Sequence, residues 1–244
     1  MTIRVLVNGA QGKMGRLAVK TLSQQKEFTL VGATGRQDDL ATEINTSRAQ
    51  VVVDLTNADA VFKNAQTIIN ANAHPVIGTS GLLKKDVEDL QNQCKTHKIG
   101  GLIVPNFSLG AVLLMKHAQE IVKYFPQVEI IEMHHQGKLD SPSGTAIRTA
   151  EMLAQTRTLL GTKSKPTRET LPGSRGAVYQ DIPIHAIRLP GMMAHLQVIF
   201  GNSGESLSLK HDTLDRECYM PGLLLACKKA FELNELIYGL ENVL

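Results

Sequence analysis

Through its first hundred residues the chain alternates short apolar runs with longer stretches of helical spacing. Ile3-Arg4-Val5-Leu6-Val7 is a β-branched run that breaks at Asn8-Gly9, after which Met14 to Leu22 places apolar residues at helical intervals. A second run covers Phe28 to Ala33 and a third Val51 to Leu55. An alanine-rich helical stretch from Ala58 to Ala73 leads to the run Pro75 to Ile77, and a helix over Leu82 to His97 leads to Leu102 to Val104. Short strands alternating with helices of this length predict βαβ units and an α/β, doubly wound parallel sheet of Rossmann-like type, with both faces covered.

The rhythm changes after Asn106. A helix is expected over Ala111 to Tyr124, a strand over Val128 to His134 and a second helix over Thr145 to Leu159. Three more strands are read at Ile182 to Leu189, His195 to Phe200 and Ser206 to His211. Asn202-Ser203-Gly204 separates the last two, so they should form an antiparallel hairpin. Gly161 to Asp181 is rich in Gly, Pro, Thr, Ser, Arg and Lys and reads as a mobile surface loop. This section is α+β, smaller than the first, with a mixed sheet. Pro221 suits the first turn of a last helix running to Tyr238.

At 244 residues the chain can bury a sizeable core, and two modest domains suit its pattern. Charge is nearly balanced, 26 basic against 23 acidic residues, without the basic block that nucleic-acid binding would call for. Apolar runs such as Leu109 to Met115 fall far short of the roughly 20 residues of a membrane helix. The N-terminus opens directly on a strand pattern without a cleavable apolar segment, so a cytoplasmic location is expected. Cys94, Cys218 and Cys227 stand at unrelated spacings and read as free thiols. With no tryptophan, core filling falls to Leu, Ile, Val, Ala and Met.

Two segments carry chemistry. Gly9-Ala10-Gln11-Gly12-Lys13-Met14-Gly15 is G-x-x-G-x-x-G rather than the usual dinucleotide fingerprint, but it stands where that fingerprint works, between the first strand and the first helix. Glycines there permit a tight turn and close approach of a pyrophosphate to the helix N-terminus. After the second strand comes Thr34-Gly35-Arg36 instead of a carboxylate. Arg36 and Lys13 together would neutralise a 2′-phosphate, which favours NADPH and leaves NADH tolerated; the lesser alternative is that both are solvated surface cations.

The second segment is Glu132-Met133-His134-His135-Gln136-Gly137-Lys138-Leu139-Asp140-Ser141-Pro142-Ser143-Gly144-Thr145-Ala146. Two imidazoles and an ammonium run into a helix start, where unpaired N–H groups join the cations in facing a ligand. Such a site holds carboxylates, and the same cations can move protons, so a small dianionic substrate is expected. Adjacent strand residues face opposite sides, so His134 and His135 should hold different roles unless the strand ends there. A zinc site is not expected, since vicinal histidines rarely converge on one ion and no cysteine lies nearby. Asp140 and Glu132 are read as orienting the loop, and His195 and His211 are assigned no role.

This fifteen-residue run resembles the signature of the 4-hydroxy-tetrahydrodipicolinate reductases, also called dihydrodipicolinate reductases. The likeness extends to Gly9 to Gly15, to Gly78-Thr79-Ser80-Gly81, to Pro105-Asn106-Phe107-Ser108-Leu109-Gly110 and to His195 to Gly222, hence over nearly the whole chain. It implies NAD(P)H-dependent reduction of (2S,4S)-4-hydroxy-2,3,4,5-tetrahydrodipicolinate with loss of water, on the diaminopimelate route to lysine. It further implies His134 as proton donor and acceptor, Lys138 as a second donor, and His135, Ser143, Gly144 and Thr145 as contacts to substrate carboxylates. The nucleotide would touch Gly9, Ala10, Gln11, Gly12, Lys13, Met14 and Arg36, and its nicotinamide half Gly78, Thr79, Ser80, Val104, Pro105, Asn106 and Phe107. These last loops also have the composition of ordinary β-to-α turns, and the sequence alone does not separate the two. In similar reductases an acidic residue often stands where Gly35 is, so an NADH-only enzyme is disfavoured. The resemblance also implies that the last helix returns to the nucleotide domain, giving residues 1–106 with 213–244 as one domain and 107–212 as a substrate-binding and tetramerisation domain of a homotetramer. The competing classes are a nucleotide-sensing regulator that binds without reacting and another small-acid dehydrogenase.

Overall fold

The computed structural model describes residues 2–159 and 168–244 of the chain. Residues 161–167 of the expected surface loop lie outside the described residues. By contacts the chain divides into two compact units, Met1–Leu109 with Arg216–Leu244, and Gly110–Asp215.

In the first unit the strands β1 (Ile3–Asn8), β2 (Phe28–Thr34), β3 (Val51–Asp54), β4 (His74–Ile77) and β5 (Gly101–Ile103) are separated by the helices α1 (Lys13–Ser23), α2 (Leu40–Ser47), α3 (Val61–Asn70) and α4 (Lys84–His97). The second unit holds α5 (Leu109–Ile121, whose first residue still belongs to the first unit), β6 (Gln127–His134), α6 (Gly144–Leu159), β7 (Ala177–Tyr179), β8 (Ile182–Arg188), β9 (Ala194–Asn202) and β10 (Glu205–Thr213). The chain then re-enters the first unit through a 3-10 turn at Arg216–Tyr219, helix α7 (Met220–Glu232) and strand β11 (Leu236–Tyr238).

The first sheet is parallel, ordered β11-β5-β4-β3-β1-β2. All four residues of β3 are buried, as a strand covered on both faces requires. On one face Leu6, Val52, Ile77 and Ile103 pack with Ile44 of α2, Val61, Ala65 and Ile68 of α3 and Leu90 of α4. Helices α1 and α7 lie against each other, with buried Ala18, Leu22, Leu223 and Ala226. Strand order reverses at β1, so the carboxyl ends of β1 and β3 flank the crevice where open α/β sheets bind ligands. The second sheet is mixed, ordered β10-β9-β6-β8-β7, with β6 and β8 parallel and the other pairs antiparallel. Val128, Ile130, Ile184, Val198 and Phe200 face Leu114 and Ala118 of α5 and Ala146, Ala150 and Leu153 of α6.

The alternation of short apolar runs therefore becomes the expected Rossmann-like sheet with a smaller α+β partner. Three elements differ from expectation. Helix α2 is absent from the apolar pattern because only Ile44 of its eight residues is buried, yet Asp39 caps it through Ala41 and Thr42 N–H. The expected last helix stops at Glu232, Leu233 turns extended, and Leu236–Tyr238 becomes the edge strand beside β5. Part of the expected loop is strand β7, joined to β8 by Gln180 and Asp181, both at positive φ (46° and 63°). That two-residue turn lacks the Asn-Gly signature by which such hairpins are read. The expected β9–β10 hairpin forms, with Ser203-Gly204 as its loop.

Gly222 of α7 lies so close to Phe107 that an added Cβ would stand 1.9 Å from the Phe107 carbonyl oxygen. Gly222→Ala is expected to lower stability by about 3 kcal/mol, the upper end of overpacking costs, whereas Gly201→Ala, with nothing within 4 Å, should stay within about 0.5 kcal/mol. Urea denaturation midpoints of the two variants check this.

Candidate active site

At the carboxyl edge of the parallel sheet the strands end in polar residues that bind one another. Asp54 closes β3, and its carboxylate is fully buried. Oδ2 accepts from Asn8 Nδ2 (2.9 Å) and Asn64 Nδ2 (2.8 Å). Oδ1 accepts from Thr79 Oγ1 (2.5 Å), Thr56 Oγ1 (2.8 Å) and Thr56 N (3.3 Å). Asn8, at the end of β1, accepts in turn from Thr34 Oγ1 (3.0 Å), at the end of β2. Three strand ends or the loops after them, together with α3, thus meet at one carboxylate, and β2 joins through Asn8. Neutral donors alone satisfy it, which is how a buried charge persists without a cation.

Around this network lies a cavity of about 360 Å³ lined by Gly9, Gln11 and Gly12 after β1, Gly35, Arg36 and Asp38 after β2, and Leu55 to Asn57 after β3. Gly9 has φ 83°, and a Cβ there would lie 2.5 Å from the Leu55 carbonyl oxygen, so the tight turn admits no side chain. Gly12 is the extended N-cap of α1 and makes no side-chain cap. The first-turn N–H groups are thereby left for an anion, with the exposed Lys13 beside them and Met14 half-buried behind. These residues fit the pyrophosphate of a dinucleotide. Gly35 leaves the end of β2 without the usual acid, but the Asp38 carboxylate folds back to accept from Gly35 N (2.7 Å), on the same cavity wall as Arg36.

The other expected nucleotide contacts are placed variously. Ala10 N donates to Thr34 O (2.9 Å), and Gly78 N to Asp54 O (2.9 Å). The Thr79 hydroxyl is engaged by Asp54 and Thr56, while Ser80 is exposed. Val104 is buried with its N–H on Ile77 O (2.8 Å), and Pro105 is exposed. Asn106 Oδ1 accepts from Ser108 N (2.8 Å), and the buried Phe107 ring packs over Gly78.

The second cluster lies in the other unit, where β6 ends at His134. Glu132, two residues earlier on the same face, has a fully buried carboxylate. It accepts a hydrogen bond from His134 Nδ1 on Oε2. Arg188, at the end of β8, donates to it bidentately, Nη1 to Oε2 at 3.0 Å and Nη2 to Oε1 at 2.7 Å. Oε1 also accepts from Ser143 N (3.1 Å), just before α6. Burial pushes the Glu132 carboxyl up, but the hydrogen bonds from His134 and Arg188 outweigh it and hold it below the usual glutamate range.

His135 lies one residue past the strand and is exposed, so the two imidazoles part company. Lys138 Nζ donates to both oxygens of Asp140 (2.7 and 2.8 Å), and that bond lowers the Asp140 carboxyl against a small opposing effect of burial. Ser143 is buried and caps α6, its Oγ accepting from Ala146 N (3.3 Å). Gly144 is exposed with nothing within 4 Å of a Cβ position, so the helix start is open there, and Thr145 follows half-buried.

Asp54, Asn64 and Arg188 stand outside the motif reading. A carboxylate closing the apolar run Val51-Val52-Val53 was the local signal for Asp54; Arg188 has none, since its partner is 56 residues away. Among the described residues no group of three or more His, Cys, Asp or Glu is placed to hold a metal ion, and no helix is long and apolar enough to cross a membrane.

A Rossmann-type nucleotide sheet in one unit and an imidazole beside an open helix start in the other define an oxidoreductase that works with a nicotinamide nucleotide. Residues 3–107 match the family described as dihydrodipicolinate reductase, N-terminus, and residues 110–244 match dihydrodipicolinate reductase, C-terminus. The chain belongs to the dihydrodipicolinate reductase family. Among its relatives, the 4-hydroxy-tetrahydrodipicolinate reductase of Legionella pneumophila (strain Lens) is 53% identical and that of Coxiella burnetii (strain Dugway 5J108-111) 50% identical, each over 100% of both chains. The solved structure of dipicolinate-bound dihydrodipicolinate reductase from Paenisporosarcina sp. TG-14 is similar with a TM-score of 0.92 and 39% identity, covering 100% of both chains. A probable dehydrogenase from Thermotoga maritima, 12% identical with a TM-score of 0.64 over 98% of this chain and 92% of its own, shares the fold.

Asp54→Asn would set an amide N–H₂ against donors and leave at least one of them unpaired. A loss of about 1–3 kcal/mol is expected, together with weaker nucleotide binding, because the Gly9, Thr56 and Thr79 loops share this acceptor. Thermal melts and nucleotide titration of the variant check both.

Proposed function

We propose that the chain reduces (2S,4S)-4-hydroxy-2,3,4,5-tetrahydrodipicolinate to (S)-2,3,4,5-tetrahydrodipicolinate, releasing water, on the diaminopimelate route to lysine in the cytoplasm. The observation that carries this reading is the shared acceptor Glu132, which holds an imidazole on one oxygen and the backbone at the start of α6 on the other. A proton donor and an anion-binding helix start are thereby joined. A ring bearing two carboxylates is the substrate class that uses both. The family membership and the relatives' names support the same substrate.

In this reading His134 gives a proton to the ring and Lys138 serves as a second donor. An ammonium has three N–H groups, of which Asp140 takes two. His135, Ser143, Gly144 and Thr145 hold the carboxylates. The nicotinamide nucleotide supplies the hydride when bound; Gly9 to Met14 and Arg36 hold its phosphates and ribose, and the loops Gly78 to Ser80 and Val104 to Phe107 its nicotinamide end. One hydride and one proton enter, and the 4-hydroxyl leaves as water. No metal is required. NADPH is preferred, because Arg36 can take a 2′-phosphate with its fork, and NADH is accommodated, because Asp38 brings a carboxylate to the ribose side of the same cavity. The assembly is a homotetramer built through the 107–212 domain.

Loss of the nicotinamide absorbance band with freshly generated substrate tests the activity, and no loss with either nucleotide would sink the reading. His134→Gln is expected to lower kcat on the order of 100-fold with little change in nucleotide affinity. Arg36→Ala should weaken NADPH on the order of 10-fold in Kd while leaving NADH within about twofold, as read by nucleotide fluorescence. A wild-type preference for NADH would overturn the cofactor assignment.

A further inference from the structure

We infer that Glu132, clamped by Arg188, is the positioning residue of this site. It fixes the His134 ring with Nδ1 as the donor to the carboxylate, so that Nε2 is the nitrogen that exchanges protons with substrate. The inference deepens the proposed function and rests on its reading of His134 as proton donor.

An ionised carboxylate only accepts hydrogen bonds, so the Glu132–His134 contact requires the proton on Nδ1. Glu132 is ionised for a physical reason. Its side chain is fully buried, yet its two oxygens receive four donors, from His134, both Arg188 Nη atoms and Ser143 N. The bidentate guanidinium also fixes the plane of the carboxylate and hence the direction in which the imidazole is held. Arg188 is itself anchored, Nη1 on Ile187 O (2.8 Å) and Nη2 on Asp140 O (2.9 Å). That last bond reaches the loop whose Asp140 side chain carries Lys138. One guanidinium from β8 thus links the holder of His134 to the holder of Lys138. Among the described residues, His134 and Arg188 are the charged or titratable side chains bonded to the carboxylate. Its cross-strand neighbours, Ala186 on β8 and Leu196 on β9, are apolar.

The doubly protonated ring loses its Nε2 proton to substrate and becomes the neutral Nδ1–H form, Glu132 stays ionised throughout, and Nε2 regains a proton from water. Without the carboxylate the neutral ring can place its proton on Nε2, in which case the nitrogen facing substrate is already occupied when it should accept. The Glu132 bond to Ser143 N means that the same carboxylate also sets the start of α6.

The test reads the ring directly, in the ligand-free full-length protein labelled with ¹⁵N-histidine, with His134→Gln assigning the resonance. At high pH the wild-type His134 ring is expected as the Nδ1–H form. Glu132→Gln should populate the Nε2–H form and lower kcat at least about 10-fold, with KM for nucleotide unchanged. Arg188→Lys, which keeps the charge and loses the fork, should move both readouts in the same direction by less; it stands in should Glu132→Gln fail to fold. A wild-type Nε2–H ring, or variants with wild-type tautomer and kcat, would overturn the inference. An Nδ1–H ring that shifts as expected in a protein whose His134→Gln variant keeps full kcat would leave the positioning intact and refute His134 as donor.

Discussion

Each unit of this protein is organised about a carboxylate removed from water at the end of a strand. An uncompensated buried charge costs several kcal/mol, so each can exist only where enough donors converge on it. Asp54 meets that constraint with hydroxyl, amide and backbone donors from three strand ends or the loops after them and from one helix. Glu132 meets it with an imidazole, a guanidinium and one backbone N–H. In both cases the satisfied charge holds together loops that would otherwise be independent. The choice of donors separates the two. Asp54 is held by neutral donors alone, whereas Glu132 is held by the guanidinium of Arg188 together with the His134 ring.

The same constraint explains why the candidate chemistry sits at strand ends. Within a strand the backbone is committed to its ladder and alternate side chains are buried in the core. At the carboxyl edge the ladder stops, polar side chains can converge from several strands, and helix starts offer unpaired N–H groups. Gly12 at the start of α1 makes no side-chain cap, and Gly144 at the start of α6 is exposed beside the capping Ser143. As proposed, the protein uses one anion-binding device twice, for a nucleotide in one unit and for a substrate carboxylate in the other.

Arg36 and Asp38 are a local variation on this plan. With Gly35 at the end of β2, the strand-end carboxylate common in such sheets is missing, and Asp38 returns a carboxylate to the place through the backbone N–H of Gly35. A guanidinium and a carboxylate on one wall suit a ribose bearing a phosphate and one without it, which accords with a proposed preference rather than an exclusive choice.

Much of the molecule was legible in the order of residues. The run from Ile3 to Val104 showed βαβ rhythm because strands buried on both faces must be continuously apolar, and the Glu132 to Ala146 segment could be singled out because its cations and its helix start are neighbours along the chain. Helix α2 and strands β7 and β11 could not be read, since one buries a single residue and the others are three-residue strands too short to show a period, placed by their pairing with β8 and β5. The sequence alone therefore determined the two sheets, the glycine turn and the candidate imidazole, all of which rest on local periodicity and local chemistry. The tertiary structure decided that Asp54 gathers Asn8, Thr56, Asn64 and Thr79, and that Arg188 reaches back over 56 residues to grip Glu132. The reason is that a buried charge selects its partners by distance in space, and nothing in the spacing of residues along the chain records that distance.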